Sequence, residues 1–234
     1  MKRKRKGVQF WNSEYAKSGT FALSHEPSED LEKFCRFLER DYGRKYLNPL
    51  CQAVDLGCGN GRNLIYLSEH FGFKGYGVDS AKEAIAQART HTQEKELPLT
   101  FAVGSIKDPL PLKDKTQAIV MDAMVSHILK SVEREAMLAE ILRVLRPDGW
   151  YFFKTFLLNG DDHAARLLAE HPGSEPHSYI HPEIGVEEHV FSEQELHDLL
   201  EPNFIVHKVH KSHGHMKNGR AFRRRSVTVY AQKR

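Results

Sequence analysis

The 234-residue chain is 40% hydrophobic and 28% charged, which suits a folded globular core, and no apolar run reaches the roughly 18–20 residues of a membrane span. Cys35, Cys51 and Cys58 are odd in number and lack metal-ligand spacing, so reduced thiols in a cytoplasmic protein are expected rather than a disulfide framework or a metal site. The net charge of +3 hides an asymmetry: residues 2–6 and 202–234 carry Lys and Arg but no acid, and all 31 acidic residues lie between them. Two basic ends on an acidic body suit an anionic partner, or are simply solvated segments.

The basic start, MKRKRK, is not followed by an apolar segment of 7–15 residues, so no secretory signal is expected. AVDLG (53–57) is an apolar run that stops at glycine, as a buried parallel strand does. NLIYLSEHFG then reads as a short helix ended by Gly72, GYGVD (75–79) as a second strand, and SAKEAIAQARTHTQEK as an Ala-rich helix. LTFAVGSI (99–106) and AIVMDAMV (118–125) read as strands three and four, followed by the periodic helix SVEREAMLAEILRVL. RPDG is a turn leading to a fifth strand, WYFFKTFLL (150–158). SEQELHDLL is a helix opened by a capping box, Ser192 with Glu195. FIVHKVHK and SVTVYAQK alternate as two last strands, a hairpin at the sheet edge.

Strands and helices in this alternation imply right-handed βαβ units. The expected fold is α/β: a Rossmann-like, doubly wound, seven-stranded and mostly parallel sheet with an antiparallel edge hairpin. Residues 1–45 are expected to form a basic arm with capping helices. Residues 46–234 would then form one domain, with a lid inserted at 159–190.

Ligands of such sheets sit outside the carboxyl ends of the strands. The turn GCGNG, carrying Gly57, Gly59 and Gly61, would bring backbone amides and a helix start to that crevice. Asp79 ends the second strand about 20 residues on, where a carboxylate meets ribose hydroxyls; an ordinary strand-end acid is the plainer alternative.

In order and spacing, VDLGCGNGRN, GYGVDSAKEAI, FAVGSIKDPLPL, AIVMDAMVSHIL and ILRVLRPDGWYFF resemble the successive motifs of class I S-adenosylmethionine-dependent methyltransferases. The resemblance covers roughly residues 50–160. It implies S-adenosylmethionine as cofactor, with Asp55, Gly57, Cys58, Gly59, Asn60 and Gly61 around its methionine portion, and Asp79 and Ser80 at the ribose. Ser105 and Ile106 would face the adenine, Ser105 standing where the family often has an acid. Asp122 would lie beside the transferable methyl. Trp11 and Tyr15 resemble an aromatic segment that caps the cofactor in many small members, and core packing explains them as well.

Methyl transfer needs alignment and a dry site more than acid–base help, and a base only for a protonated acceptor. The candidates for that base are His127 and the group His181, Glu187, Glu188 and His189, and Asp122 is a further catalytic candidate beside the methyl. His189, Arg223 and Arg224 are candidate acceptor contacts, because the last hairpin's loop would lie at the carboxyl side of the sheet. In HKVHKSHGH, strand alternation sets His207 and His210 on opposite faces and nothing completes a tetrahedral metal site. The acceptor is expected to be a nitrogen or oxygen nucleophile of a small, possibly anionic metabolite. RNA held by the basic 213–225 loop is the alternative, and a catalytically silent cofactor-binding subunit is the third reading.

Overall fold

The computed structural model describes residues 7–17, 24–212, 215–217 and 220–234. Parallel strands bury both faces and need long apolar runs, and those runs form the sheet here. β1 (Gln52–Leu56), β2 (Lys74–Asp79), β3 (Leu99–Val103), β4 (Gln117–Ala123) and β5 (Leu145–Phe156) lie side by side, with β8 (Phe204–Lys211) and β11 (Ser226–Lys233) beyond them. The sheet order is β3-β2-β1-β4-β5-β11-β8. The first five strands pair in parallel, and β11 runs antiparallel to both β5 and β8. This is the expected seven-stranded sheet with its antiparallel edge.

One face packs against α2 (Glu29–Tyr42), α3 (Arg62–Phe71) and α4 (Lys82–Glu94). Leu31, Phe34, Phe37 and Leu38 from α2 join Trp150, Phe152 and Tyr230 of the sheet in one buried cluster. The opposite face carries α5 (Ser131–Val144) and α7 (Glu193–Leu200), which bury Met137, Ile141 and Leu196 against Val120, Tyr151 and Phe153. At α7 the capping box forms as read: the Ser192 hydroxyl accepts from the Glu195 amide, and the Glu195 carboxylate accepts from the Ser192 amide.

α1 (Val8–Lys17) rests on the start of α4, with Tyr15 buried against Ala81 and Ala84 and Trp11 partly covering them. Between β5 and α7 lie α6 (Asp162–Glu170) and a short hairpin of β6 (Ser178–Ile180) and β7 (Glu187–His189). The link from β8 to β11 contains β9 (His215–Lys217) paired with β10 (Arg220–Arg223).

Two details differ from the expectation. RPDG is not a free turn but a bulge inside β5: Gln117 pairs with Leu145 and Ile119 with Trp150, so four β5 residues loop out against one of β4. A register shift in β8 falls at His207, breaking strict alternation. His207 packs on Trp150 and His210 on Tyr230, both on the same core face, not on opposite faces.

Candidate functional site

The glycine turn follows β1 directly, and Gly57, Gly59 and Gly61 all have positive φ, which side-chain-bearing residues adopt at a cost. Gly57 also permits a close approach: a Cβ there would lie 2.3 Å from Cγ2 of Val125, in the turn after β4. Cys58 is buried, and its amide donates to the Val78 carbonyl. The Gly61 amide donates to the Cys58 carbonyl, closing the turn onto α3. Asn60 is buried and donates from Nδ2 to the Ser24 carbonyl.

Two carboxylates flank this turn. Asp79 accepts from the Gly59 amide at 2.9 Å and from the Ala81 amide at 2.8 Å, and burial raises its pKa. Tyr15 lies close enough for the Asp79 charge to raise its phenol pKa, after the larger effect of burial. Ser80 is exposed in the same turn. The Gly104 amide donates to the Asp79 carbonyl, which brings Ser105 and Ile106 next to it. Ser105 Oγ accepts from the Lys107 amide, and Ile106 packs with Tyr76 on the α5 face.

Asp55 is buried, and its Oδ2 has no hydrogen-bond partner. Burial pushes its carboxyl up to about 8, and the nearby Arg62 guanidinium pulls against that shift. An unpaired buried oxygen of this kind is costly and calls for an explanation. An ammonium group supplies the missing donor. A buried carboxyl oxygen without a partner, beside a glycine turn and an acid at the end of β2, therefore fits S-adenosylmethionine.

Asp122 is buried, with its Oδ1 accepting from the amides of Val125 and Ser126 and its Oδ2 from the Tyr151 hydroxyl at 3.0 Å. Its oxygens hold the turn after β4 in shape. Burial pushes its carboxyl up to about 6 despite these donors.

That turn leads into a short 3-10 turn, Ser126–Ile128, which carries His127. His127 is buried edge-on against Phe156, with ring centroids 4.8 Å apart. Its Nε2 lies 4.0 Å from Glu188 Oε1, and its Nδ1 has no partner. Burial pushes the imidazole down to about 3, so it is neutral.

Glu188, buried on β7, accepts at Oε2 from the Tyr179 hydroxyl at 2.7 Å and from the Arg224 guanidinium. That guanidinium stacks over Phe156, 3.4 Å from the ring centroid. Burial drives Glu188 up to about 8 and Arg224 down to about 9, toward their neutral forms, with the Asp161 charge opposing the shift of Arg224.

Sequence reasoning thus named His127, Glu188 and Arg224 separately, and the fold brings them into one cluster. It missed Tyr179 and Phe156, which no motif marks. His189 flanks the cluster, its Nε2 3.3 Å from Glu195 Oε1. His181 Nδ1 faces the amides of Glu183 and Ile184 in its own turn. Arg225 donates to the carbonyls of Asn159 and Ser212. Arg224 and Arg225 are therefore engaged within the chain. The side chain of Arg223 lies outside the described residues. Among the described residues, no group of His, Cys, Asp and Glu is placed to hold a metal ion.

This sheet order, with its glycine turn after β1 and acid after β2, defines the class I S-adenosylmethionine-dependent methyltransferase fold. Residues 53–149 match the family described as methyltransferase domain. An S-adenosylmethionine-dependent methyltransferase from Methanosarcina mazei superposes with a TM-score of 0.66 at 24% identity, covering 81% of this chain and 95% of that one. The Burkholderia thailandensis 1,6-didemethyltoxoflavin-N1-methyltransferase, with S-adenosylhomocysteine bound, gives 0.68 at 17% identity over 94% and 84% of the two chains.

Among sequence relatives, arsenite methyltransferase of Aquipseudomonas alcaligenes is 30% identical over 129 residues, 51% of this chain and 35% of that protein. Ubiquinone biosynthesis O-methyltransferase of Chromobacterium violaceum is 26% identical over 122 residues, 50% and 48% of the two. The matched segment spans about half or less of the length of these curated relatives. No helix among the described residues is long and apolar enough to cross a membrane.

Proposed function

We propose that this protein is an S-adenosylmethionine-dependent methyltransferase acting on a nitrogen or oxygen nucleophile of a small metabolite. The observation that carries the reading is the unpartnered Asp55 Oδ2 beside a glycine turn that admits no side chain at Gly57. Asp55 and the backbone of Gly57 to Gly61 would hold the methionine portion, with Asp79 and Ser80 at the ribose and Ser105 and Ile106 beside the adenine. Trp11 and Tyr15, packed on α4 next to Asp79, would cover the site and exclude water.

The bound cofactor supplies an electrophilic methyl group on a sulfonium, so the protein's part is alignment in a dry setting. The buried cluster of His127, Glu188, Tyr179 and Arg224 joins the turn after β4, the lid hairpin and the start of β11. It would form the acceptor side, and residues 159–190 would act as the lid over it. His189 and His181 border that side and are second choices for acceptor contacts.

An RNA acceptor has one observation in its favour: β8 ends, and β11 begins, at the carboxyl end of the parallel strands, which carries the basic 212–225 link there. The inward contacts of Arg224 and Arg225 weigh toward a small molecule.

Calorimetric titration with S-adenosylhomocysteine tests the proposal. Micromolar binding to the wild type, weakened at least tenfold (about 1.4 kcal/mol) in Asp79→Ala, is expected. No binding to folded wild-type protein would overturn it.

A further inference from the structure

Apart from the site described above, the structure has a cleft of about 210 Å³, lined by His25, Asn60, Arg62, Ile65, His91 and Lys95. The two histidines and the lysine have no part in the proposed methyl transfer. α4 starts just after the Asp79 turn, and His91 lies nine residues beyond Lys82, roughly 13 Å along the helix at about 1.5 Å per residue. That wall of the cleft is therefore set back from the turn that holds Asp79. The other walls are fixed to each other. Asn60 Nδ2 donates to the Ser24 carbonyl at 3.2 Å, and Arg62 Nη1 donates to the Glu26 carbonyl at 3.1 Å, which ties the segment carrying His25 to the start of α3. The His25 and His91 rings meet edge-on, with centroids 4.4 Å apart. Ile65, itself buried, adds an apolar side chain to the lining.

Every titratable side chain in this lining is a cation or becomes one on protonation, and no acid is among them. Two acids stand nearby. Glu69 pairs with Lys95 Nζ at 2.6 Å, and the charge of Glu94 acts on His91. The Lys95 pair is solvent-exposed and so contributes little, which leaves the ammonium group able to meet an incoming anion. The acid acting on Arg62 is Asp55, whose carboxyl burial holds up at about 8, so the guanidinium is poorly matched near neutral pH. A rigid cleft with an excess of positive charge and an apolar side selects an anion that also carries an apolar body.

We propose that this cleft is a separate binding site for a small organic oxyanion, with its carboxylate or phosphate group met by Arg62 and Lys95 and its apolar body against Ile65 and the two imidazole rings. Such a ligand accepts from a guanidinium, an ammonium and an imidazole N–H at once, as neither a cation nor a neutral hydrocarbon can.

The test uses the full chain, ¹⁵N-labelled on histidine and titrated with benzoate and, separately, with inorganic phosphate, at an ionic strength held constant with chloride. Saturable shifts of the His25 and His91 signals, with a Kd of about 1 mM or tighter for at least one probe, are expected; the probe that saturates identifies the head group. Shifts that stay linear, or that chloride alone reproduces, mean charge screening only and overturn the proposal. This titration needs no cofactor, so its outcome stands apart from the methyltransferase reading. Repeated with S-adenosylhomocysteine at saturation, it should give an affinity within about threefold of the first. Loss of binding would assign the cleft to the cofactor's own carboxylate and overturn a separate site. Arg62→Gln should weaken binding about tenfold or more, and Lys95→Gln about threefold or more. Lys95 is exposed, so the second variant keeps the test open if the first does not fold; wild-type affinity in Lys95→Gln overturns the proposal.

Discussion

The missing side chain of Gly57 is matched by the side chain of Val125: a Cβ built on the glycine falls 2.3 Å from Cγ2 and 2.9 Å from Cγ1 of that valine. The glycine turn and the turn after β4 therefore interlock. Gly57→Ala meets two obstacles, this overlap and a φ of +65°. Together they should cost roughly 2–5 kcal/mol, read as a lower urea midpoint. Combining it with Val125→Ala removes the overlap but not the backbone strain, so about half of the loss should return. Full recovery would show that the φ of Gly57 contributes nothing.

Glu188 and Arg224 form a buried ion pair, with side chains 5% and 15% exposed. Removing one partner strands the other charge, so Glu188→Ala or Arg224→Met should each destabilise by about 3–5 kcal/mol. The double change Glu188→Gln with Arg224→Met should recover more than half of that, because neither charge then remains. Additive losses in equilibrium unfolding would mean that the two side chains do not act as a pair.

Asp122 gives a pH dependence whose sign follows from burial. Its carboxyl is held up at about 6, against about 3.9 in an unfolded chain. The folded state therefore binds its proton more tightly, and the group's stabilising contribution is full below about pH 4. That contribution is lost as pH rises through about 6, by roughly 3 kcal/mol in all. Wild type should fall relative to Asp122→Asn between about pH 4 and 6, measured by urea unfolding. Tyr151→Phe removes a donor to the carboxylate and should move this window upward. Parallel pH profiles for wild type and Asp122→Asn would refute the assignment.

The core strands were readable because parallel strands buried on both faces require long apolar runs, and AVDLG, GYGVD and AIVMDAMV are such runs. The glycine turn was readable for a similar reason, since three positive-φ positions leave a compositional trace. The buried cluster around Glu188 was not. Tyr179 and Glu188 lie nine residues apart on the two arms of the β6–β7 hairpin, and only its folding back sets their oxygens 2.7 Å apart. Arg224 looked like part of a solvent-facing basic run, yet its partner lies 36 residues earlier in the chain. For His207, a register shift in β8 undid an alternation that the sequence does not mark as broken.

β11 is the last strand of the sequence, yet it lies inside the sheet between β5 and β8. On a ribosome β8 therefore emerges before the neighbour it pairs with, and Ile205, Val206 and Val209 wait beside an unfilled slot. Completing the sheet requires residues 226–233 to pair antiparallel with both β5 and β8. A stalled or clipped chain lacking those residues would retain the glycine turn but expose two unpaired strand edges, a template for aggregation.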